Sequence, residues 1–520
     1  MLIENAVIVD STFEPTPFNA VQIKNGVIQK LLTSAEAVRL PDERIDAKGR
    51  LLLPAFFDSH THLLEFGLRF SRLNLKHTGR AAALDLVRAA VHHTPKGKWI
   101  TGGGWMKKDF STFPFAIWLD EISTEHFIAL SSQDSHAVWC NTSALELLRP
   151  YNFSEQELPT DPAAGEKFSG MCFERAAQKM MSLIETGIEQ KTAALRNAQR
   201  ELFKLGITET ISVESASALP AYKSLGDDLK LRTGIAILCE EIQAAKLFFR
   251  SYQHERLHLN SAKLFLDGSL GAETASVLAP FNRSPKGTVN YGLDLYAEPD
   301  ILAMFKLIER EGLPVAVHAI GNKAVRRALN AFEKLFESSS LSFGKGDKGD
   351  FQHRIEHAQM ISMDDAKRFS NLNLIASMQP VHIREDIATA AALLDDRQQA
   401  DLYRFASLEK SGATYIFGSD APIETPNVFE GLYFAAARKD AGGNDWFPKE
   451  RISLKAALKA YTQTPHRATG NARTRGKVES GYAADLILLS ENILKMPAES
   501  IRDAEVVLTM AAGEIVFSQK

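Results

Sequence analysis

Cysteine is scarce in this chain, which has only three in 520 residues. Cys140, Cys172 and Cys239 are odd in number and widely spaced, which argues against a disulfide framework and against a cysteine zinc site. We expect them to be buried free thiols. Long apolar runs are also missing, because none approaches the roughly 20 residues that a membrane-spanning helix needs. Since the N-terminus lacks a charged-then-apolar signal segment, we predict a cytoplasmic protein without membrane contact.

A surplus of charge of either sign is absent as well. The formal net charge is -4 and the pI is near 6.4, so the chain has no basic footprint for nucleic acid. It also has no Gly-x-Ser-x-Gly motif, which makes a serine hydrolase a poor interpretation. The hydrophobic content of 45% is enough for a soluble protein with a large buried core. The expected partner is a small-molecule substrate.

Six residues with side chains suited to metal sites each lie at or just past the end of a short strand-like run. They are His60, His62, Lys263, His318, His357 and Asp420. Neutral imidazole is a favoured ligand for zinc, and a catalytic zinc keeps about three protein ligands and an open position for water. Because the six follow one another along most of the chain, we interpret them as one metal site assembled from many strands.

The first two of these residues close an apolar run from Leu51 to His62. On an extended backbone residues i and i+2 point the same way, so His60 and His62 face one side. The chain has 14 histidines, and chance alone gives about 0.4 such pairs. A strand-end histidine is often structural, and an aspartate after Gly-Ser, such as Asp420, is often a helix N-cap. The recurrence of such residues in order favours the metal site.

Strand-like runs alternate with helical stretches in the middle of the chain, which is typical of parallel strands with crossover helices. Eight candidate strands end near Asp58, Ser212, Leu238, Leu266, His318, His357, Met378 and Asp420. Short alternating runs in residues 1–50 and 475–520 predict one small β domain built from both termini. The predicted fold class is α/β, a (β/α)8 barrel over residues 51–474 with a composite β-sandwich and the chemistry at the C-terminal strand ends.

Two segments do not fit a bare barrel. Residues from about 64 to 200, after the first barrel strand, are far too long for an ordinary connection. We predict an inserted subdomain there that shapes the substrate pocket. The polar, glycine-rich stretch 338–349 lacks the strand and helix order of a phosphate loop, so we predict a solvated loop.

The sequence around these residues resembles the metal-dependent amidohydrolase superfamily, and within it the branch called amidohydrolase 3 or YtcJ-like. The resemblance runs from the first β-strands to the last. It is carried by Pro54–His62 with its Asp-x-His-x-His, Trp99–Trp105, Asp134–Leu145, Lys263–Ala275, His318–Gly321, His353–Gln359, Ser377–Pro380 and Phe417–Pro422. It implies a TIM barrel with a composite β-sandwich, a divalent metal centre, and hydrolysis of an amide-like or related bond.

The resemblance also implies how the metal ligands are shared. His60 and His62 would hold the more buried ion with Asp420, and His318 and His357 would hold a second ion. An unmodified lysine has no acceptor for a cation, but in this superfamily the lysine at the fourth barrel strand is often carboxylated on its amine. Lys263 would then bridge two ions, most simply Zn²⁺. A salt-bridged Lys263 and a single ion both stay open as alternatives.

The implied reaction cleaves a carbon–nitrogen bond with metal-activated water, and Asp420 is the candidate general base. Glu356 and Asp58 are candidates to orient the imidazoles. The candidate substrate contacts are Trp105, His136, Trp139, Arg354 and His382. Each of these has an equally good structural interpretation as a packed residue. A one-metal deaminase of the same superfamily and a non-catalytic metal-binding protein stay open, and the chain is compatible with a homodimer.

Overall fold

The computed structural model describes residues 1–519 except 111, 133–136, 156, 162–166, 185, 283–288 and 339–351. The chain forms two compact units, one of residues 1–64 and 196–520 and the other of residues 65–195. The stretch predicted as a solvated loop, 338–349, lies outside the described residues except for Ser338. Within the described part of the chain, no helix is both long and apolar enough to cross a membrane.

Eight parallel strands in chain order form the central sheet of the first unit. They are β1 (Phe56–Thr61), β2 (Ile207–Glu214), β3 (Arg232–Leu238), β4 (Leu257–Phe265), β5 (Val315–Ala319), β6 (Arg354–His357), β7 (Ile375–Met378) and β8 (Thr414–Phe417). Each strand pairs with the next, and a parallel bridge between Thr61 and Ala421 joins the two ends of the sheet. The Asp420 amide donates to the His60 carbonyl at 2.7 Å there. The predicted TIM barrel is therefore confirmed.

The barrel strands are buried along most of their length, and every residue of β1 and β2 is buried. Parallel strands covered on both faces need no polar alternation, which explains their continuous apolar and β-branched runs. Helices follow the strands, and the helix after β5 buries one side at helical spacing, including Val325, Leu329 and Phe332. The helices of this barrel are Ile188–Lys204, Leu219–Leu225, Ile242–Ser251, Glu298–Arg310, Asn322–Ser338, Met363–Asn371, Ile383–Leu393, Asp396–Gln399, Phe405–Ser411, Val428–Ala436, Leu454–Thr462 and Pro465–Ala468.

Strands from both ends of the chain lie in two further sheets of the first unit. The four-stranded sheet has the order Val27–Leu32, Ala20–Lys24, Leu2–Glu4, Arg44–Asp46. The five-stranded sheet has the order Val7–Ile8, Leu51–Pro54, Leu486–Leu489, Val506–Ala511, Glu514–Ser518. One apolar core contains residues of both sheets, among them Ile3, Leu52 and Leu488. The exact domain bounds predicted from the sequence stay predictions.

The apolar run that the sequence presents as one strand is two strands in the structure. Leu51–Pro54 pairs with Leu486–Leu489 in the five-stranded sheet, and β1 begins only at Phe56. Ala55 separates them, and its amide donates to the Asp485 carbonyl at 2.9 Å. Because both strands are fully buried, the run shows no change of polarity where the chain passes from one sheet to the other.

The second unit has its own sheet and core. Its strands lie in the order Met171–Phe173, Ala137–Cys140, Phe127–Ser132, Trp99–Trp105, Leu73–Asn74. The helices Arg80–His93, Lys107–Phe110, Ala116–Asp120, Thr142–Leu145 and Glu174–Ser182 accompany them. Trp105 and Trp139 are central members of one apolar cluster of this unit.

Candidate metal centre

The structure brings the predicted metal residues together at the C-terminal ends of the barrel strands. His60 lies on β1, Lys263 on β4, His318 on β5 and His357 on β6. His62 directly follows β1, and Asp420 lies three residues after the end of β8. Parallel strands in a closed barrel deliver their C-terminal ends to one face, where barrel enzymes carry their active sites. The convergence therefore follows from the topology.

Three of these residues could hold a metal ion between them. Asp420 Oδ1 lies 3.4 Å from His60 Nε2 and 3.1 Å from His62 Nε2. One ligand atom from each of the three residues lies within 4.8 Å of the others. The His357 ring centroid is 5.0 Å from that of His60 and 4.5 Å from that of His318, so the remaining imidazoles are adjacent.

The site contains buried polar atoms that make no well-formed hydrogen bond to the protein, although some of them lie close to one another. His60 Nε2, Asp420 Oδ1 and Lys263 Nζ are all buried without a hydrogen-bond partner in the described part of the chain. Leaving such atoms unpaired costs free energy, and native structures rarely leave several together. The first two are the atoms that a cation would engage, so this donor set fits a bound metal. Lys263 fits only if its amine carries an acceptor group.

Hydrogen bonds behind the imidazoles set which ring nitrogen faces the site. His60 Nδ1 is 2.7 Å from Glu356 Oε2, and His357 Nδ1 is 2.8 Å from Gln379 Oε1. Both Nδ1 atoms therefore donate, and the Nε2 lone pairs are left for a metal. His318 has the opposite arrangement. Its Nε2 donates to the Gly268 carbonyl at 3.0 Å, so its Nδ1 lone pair is the one left for a metal.

Burial and neighbouring charges favour the metal-binding protonation states of three of these ligands, His318, His357 and Asp420. Burial, with the charge of Lys263, lowers the pKa of His318 to about 3. Burial and the neighbouring His318 hold the pKa of His357 well below its usual range. Burial opposes ionisation of Asp420, but the imidazoles of His60 and His62 outweigh it and hold the pKa of that carboxyl well below its usual value. Neutral imidazole and ionised carboxylate are the forms that bind metal.

Lys263 and His60 respond to the same surroundings in different ways. Burial lowers the pKa of the Lys263 amine to about 8, although Glu356 and Asp420 oppose the change. Burial and Lys263 also act to lower the pKa of His60, but the carboxylates of Glu356 and Asp420 raise it above its usual value. The amine of Lys263 is therefore closer to its neutral form at neutral pH than an exposed lysine.

Arg354, predicted as a substrate contact, is instead a support for Glu356. Its side chain is fully buried, and Arg354 Nε donates to Glu356 Oε1 at 2.5 Å. The other two guanidinium nitrogens donate to Asn260 Oδ1 at 2.9 Å and Ser261 Oγ at 2.8 Å. These contacts lie inside the barrel beneath the metal ligands, so they hold the carboxylate that orients His60.

Asp58 positions backbone rather than an imidazole ring. Its carboxylate accepts from the Ser419 amide at 2.9 Å, from Ser419 Oγ at 2.6 Å and from the His60 amide at 3.3 Å. Burial raises the pKa of this carboxyl to about 6, although these hydrogen bonds act to lower it. The residue thus ties the end of β1 to the segment that carries Asp420.

His382 is the predicted substrate contact that lies beside the metal residues. Its Nε2 is 3.2 Å from the Ser419 carbonyl and 3.9 Å from Asp420 Oδ2, and its side chain is 14% exposed. A partly exposed imidazole at this place can meet a substrate, so its role stays a prediction. His136, the second predicted histidine, lies outside the described residues.

Trp105 and Trp139 are core residues of the second unit. Both are buried, and their indole N–H groups donate to main-chain carbonyls of the same unit, those of Leu130 at 2.7 Å and Phe115 at 3.0 Å. The ring of Phe110 packs edge-on against both indoles. With their faces packed and their donors satisfied, these residues act as packing groups, which corrects the expectation of substrate contact.

Three supporting residues, Gln379, Glu214 and Ser212, were not assigned this role from the sequence. Gln379, inside the Ser-Met-Gln-Pro motif, accepts from His357. Glu214, at the end of β2, accepts from the Leu64 amide at 3.1 Å and from Ser212 Oγ at 2.8 Å, while Ser212 Oγ accepts from the Leu63 amide at 2.8 Å. This pair fixes the backbone that follows His62. Their positions at or near strand ends were the only sequence feature that pointed to them. Their hydrogen-bond partners are determined by the folded structure.

Comparison with known proteins identifies the family. The amidohydrolase family model matches residues 43–517. Similar proteins are LONG AFTER FAR-RED 3 of Arabidopsis thaliana (28% identity; 99% of this chain, 91% of that protein), amidohydrolase YtcJ of Bacillus subtilis (25%; 96% of each), and N-substituted formamide deformylase of Arthrobacter pascens (21%; 96% and 95%). A metal-dependent hydrolase from Pyrococcus furiosus superposes with a TM-score of 0.79 at 27% identity, over 95% of this chain and 99% of that one. This chain belongs to the amidohydrolase family of metal-dependent hydrolases.

Proposed function

We propose that this protein hydrolyses a non-peptide carbon–nitrogen bond in a small molecule, of the N-formyl or N-acyl amide type. The observation that carries the proposal is the convergence of Asp420 with His60 and His62 around unpaired buried atoms. The similarity to N-substituted formamide deformylase supports the bond type. Zinc is the proposed metal, because histidine and carboxylate ligands suit it.

When bound, a divalent ion lowers the pKa of water and polarises a carbonyl oxygen. The residues supply the rest of the chemistry. Asp420 Oδ1 faces His60 and His62, while Oδ2 lies nearest to His382. Asp420 takes the proton from the attacking water and passes it to the leaving amine, which departs neutral as the carbon–nitrogen bond breaks. His60, His62, His318 and His357 would hold the metal, and hydrogen bonds behind the rings orient those of His60, His318 and His357.

The role of Lys263 decides between one and two ions. A Lys263 amine carboxylated on its nitrogen would help to hold both ions, and its buried position without a hydrogen-bond partner in the described residues supports this role. The amine adds to carbon dioxide and releases one proton, which creates the acceptor that lysine lacks.

The alternative is a deaminase with one ion, and the three-residue group of His60, His62 and Asp420 is what favours it. Metal content per chain separates the two, since the bridged site needs two ions. Loss of one of two ions in Lys263→Ala would support the bridge, and retention of both would make Lys263 structural. A homodimer stays a prediction.

The proposed chemistry is tested by Asp420→Asn. Asparagine keeps the shape and one oxygen but accepts no proton at neutral pH, so the variant should retain much of its metal while kcat falls by roughly two to four orders of magnitude. The measurement is kcat on a panel of N-formyl and N-acyl amines, with metal content determined on the same sample. The acidic limb of the pH profile should disappear with the carboxylate.

The matched control is Asp485→Asn. Asp485 is a buried carboxylate that pairs with Arg232 at 2.6 Å, away from the metal residues. Its loss should lower stability and leave kcat of the folded enzyme unchanged. A metal-replete Asp420→Asn enzyme with nearly normal kcat would place the base elsewhere, and absence of hydrolysis of any amide in the wild type would reject the bond type.

A further inference from the structure

A cavity of about 560 Å³ lies at the opposite end of the barrel from the metal residues. Its wall includes Thr414, the first residue of β8, whereas Asp420 follows the last residue of that strand. At about 3.3 Å per strand residue, the two positions are on the order of 15–20 Å apart. The cavity is therefore separate from the metal centre, and the reaction described above does not use it.

The wall of the cavity carries more positive than negative charge. Four basic side chains line it, Lys459, Arg467, Arg475 and Lys477, against one carboxylate, Glu409. Hydroxyl groups, among them those of Thr414 and Tyr415, complete a polar lining. The whole chain has a net charge of -4, so this concentration of basic groups is local.

Two of the four basic groups already have carboxylate partners. Arg475 Nη1 lies 3.2 and 3.3 Å from the two oxygens of the buried Glu209, and Lys477 Nζ lies 3.7 Å from Glu479. Lys459 and Arg467 make no ion pair with a carboxylate in the described residues. Arg467 Nη1 donates instead to Thr414 Oγ1 at 2.9 Å, which holds the guanidinium against the cavity wall.

We propose that this cavity binds a small anion with at least two negative charges, of the phosphate or dicarboxylate type. A guanidinium offers a planar fork of donors that matches phosphate and carboxylate, and a lysine ammonium adds a mobile point charge. The volume lies within the range of roughly 300–1,000 Å³ for small-molecule sites. Lys459 and Arg467 supply the charge that the protein leaves unpaired, and Arg475 and Lys477 add to the field.

Calorimetric titration of the full-length, metal-loaded protein with inorganic phosphate and with succinate, at constant ionic strength, tests the proposal. One saturable site per chain is expected, and the stronger of the two probes identifies the anion class. The double variant Lys459→Gln/Arg467→Gln should weaken binding by about ten- to a hundredfold, because charge-assisted hydrogen bonds are lost. Both side chains are exposed, so the variant should fold.

The control is Lys334→Gln/Lys367→Gln, which removes the same two charges from exposed helix positions. It should bind the anion like the wild type. The anion should also raise the Tm of the wild type and of this control, but not that of the cavity variant. The proposal is overturned if neither probe saturates, if the cavity variant binds as tightly as the wild type because the anion sits at the metal centre, or if the control weakens equally.

Discussion

One carboxylate, Glu356, determines how His60 presents its ring. The Glu356→Gln variant keeps the size of the side chain but removes its negative charge. The carboxylate that accepts a hydrogen bond from His60 Nδ1 and pairs with Arg354 is then replaced by a neutral amide. Loss of such an outer hydrogen bond typically lowers metal affinity by about 10–100-fold. We expect that weakening in a chelator-competition measurement. Arg354 would also lose its charge partner, so a drop in Tm should accompany the change.

The control for this variant is Glu209→Gln, because Glu209 is also a buried barrel glutamate that pairs with an arginine, Arg475. It should lower the Tm without changing metal affinity. Equal metal affinities for Glu356→Gln and the wild type would mean that the His60 ring is oriented by something else.

The contact between β1 and the segment after β8 closes the barrel and also places Asp420. Gly418 lies at this contact, and a Cβ there would meet the His60 amide nitrogen at 2.5 Å and Asp58 Oδ1 at 2.9 Å. Gly418→Ala should therefore force the two segments apart, at a cost of about 1–3 kcal/mol or more in unfolding free energy. Metal affinity should fall with it, as measured by chelator competition and urea unfolding.

Gly187→Ala serves as the comparison, since a Cβ at Gly187 has open space around it. It should unfold and bind metal like the wild type. Unchanged metal affinity in a folded Gly418→Ala protein would show that the closure tolerates displacement.

The second unit depends on its tryptophans for packing. Trp139→Ala leaves a large cavity and removes the hydrogen bond from the indole N–H to the Phe115 carbonyl, so it should cost about 3–5 kcal/mol in unfolding free energy. Hydrogen exchange should show the loss in the strands Phe127–Ser132 and Ala137–Cys140. The exposed Ile117 provides the control, because Ile117→Ala should stay within about 0.5 kcal/mol of the wild type. Normal protection in Trp139→Ala would contradict the core role.

The stability of the whole molecule should depend on pH through its buried histidines. Burial lowers the pKa of His353 and of His466 to about 3, against an ordinary value of 6.5. Below pH 6.5 these two histidines bind a proton in the unfolded chain, but in the folded protein they stay neutral until about pH 3. The stability that each neutral histidine contributes is therefore lost as the pH falls from about 6.5 to about 3. Asp58 and Asp267, whose pKa values burial raises to about 6 and 7, act in the opposite direction.

A single-site comparison isolates one of these contributions. His466→Asn should remove up to about 1.4 kcal/mol per pH unit from the slope of unfolding free energy between pH 6 and 4, relative to the wild type. The measurement is urea unfolding at each pH. Replacement of the exposed His77 by asparagine should leave the slope unchanged. Parallel curves for wild type and His466→Asn would show that His466 titrates normally in the fold.

The sequence alone determined the barrel and the identity of the residues at its strand ends. Buried parallel strands appear in the sequence as short apolar runs, separated by segments whose apolar residues recur at helical spacing. This pattern can be recognised without any tertiary information. The six candidate ligands are found because each follows such a run, and parallel topology then carries them to one face. Their assignment to particular ions rested on the family resemblance.

Tertiary structure alone decided what each side chain contacts. Arg354 and Trp139 look like site residues beside the motifs, but their donors are satisfied inside the barrel and inside the second unit. The passage from one sheet to another at Ala55 has no sequence signal, because both strands are fully buried. The basic cavity joins residues from positions 11 to 477. The pattern of apolar and polar residues predicts which side of a helix or strand is buried. It does not predict which side chains distant in sequence come into contact, because those contacts form only when the helices and strands pack together.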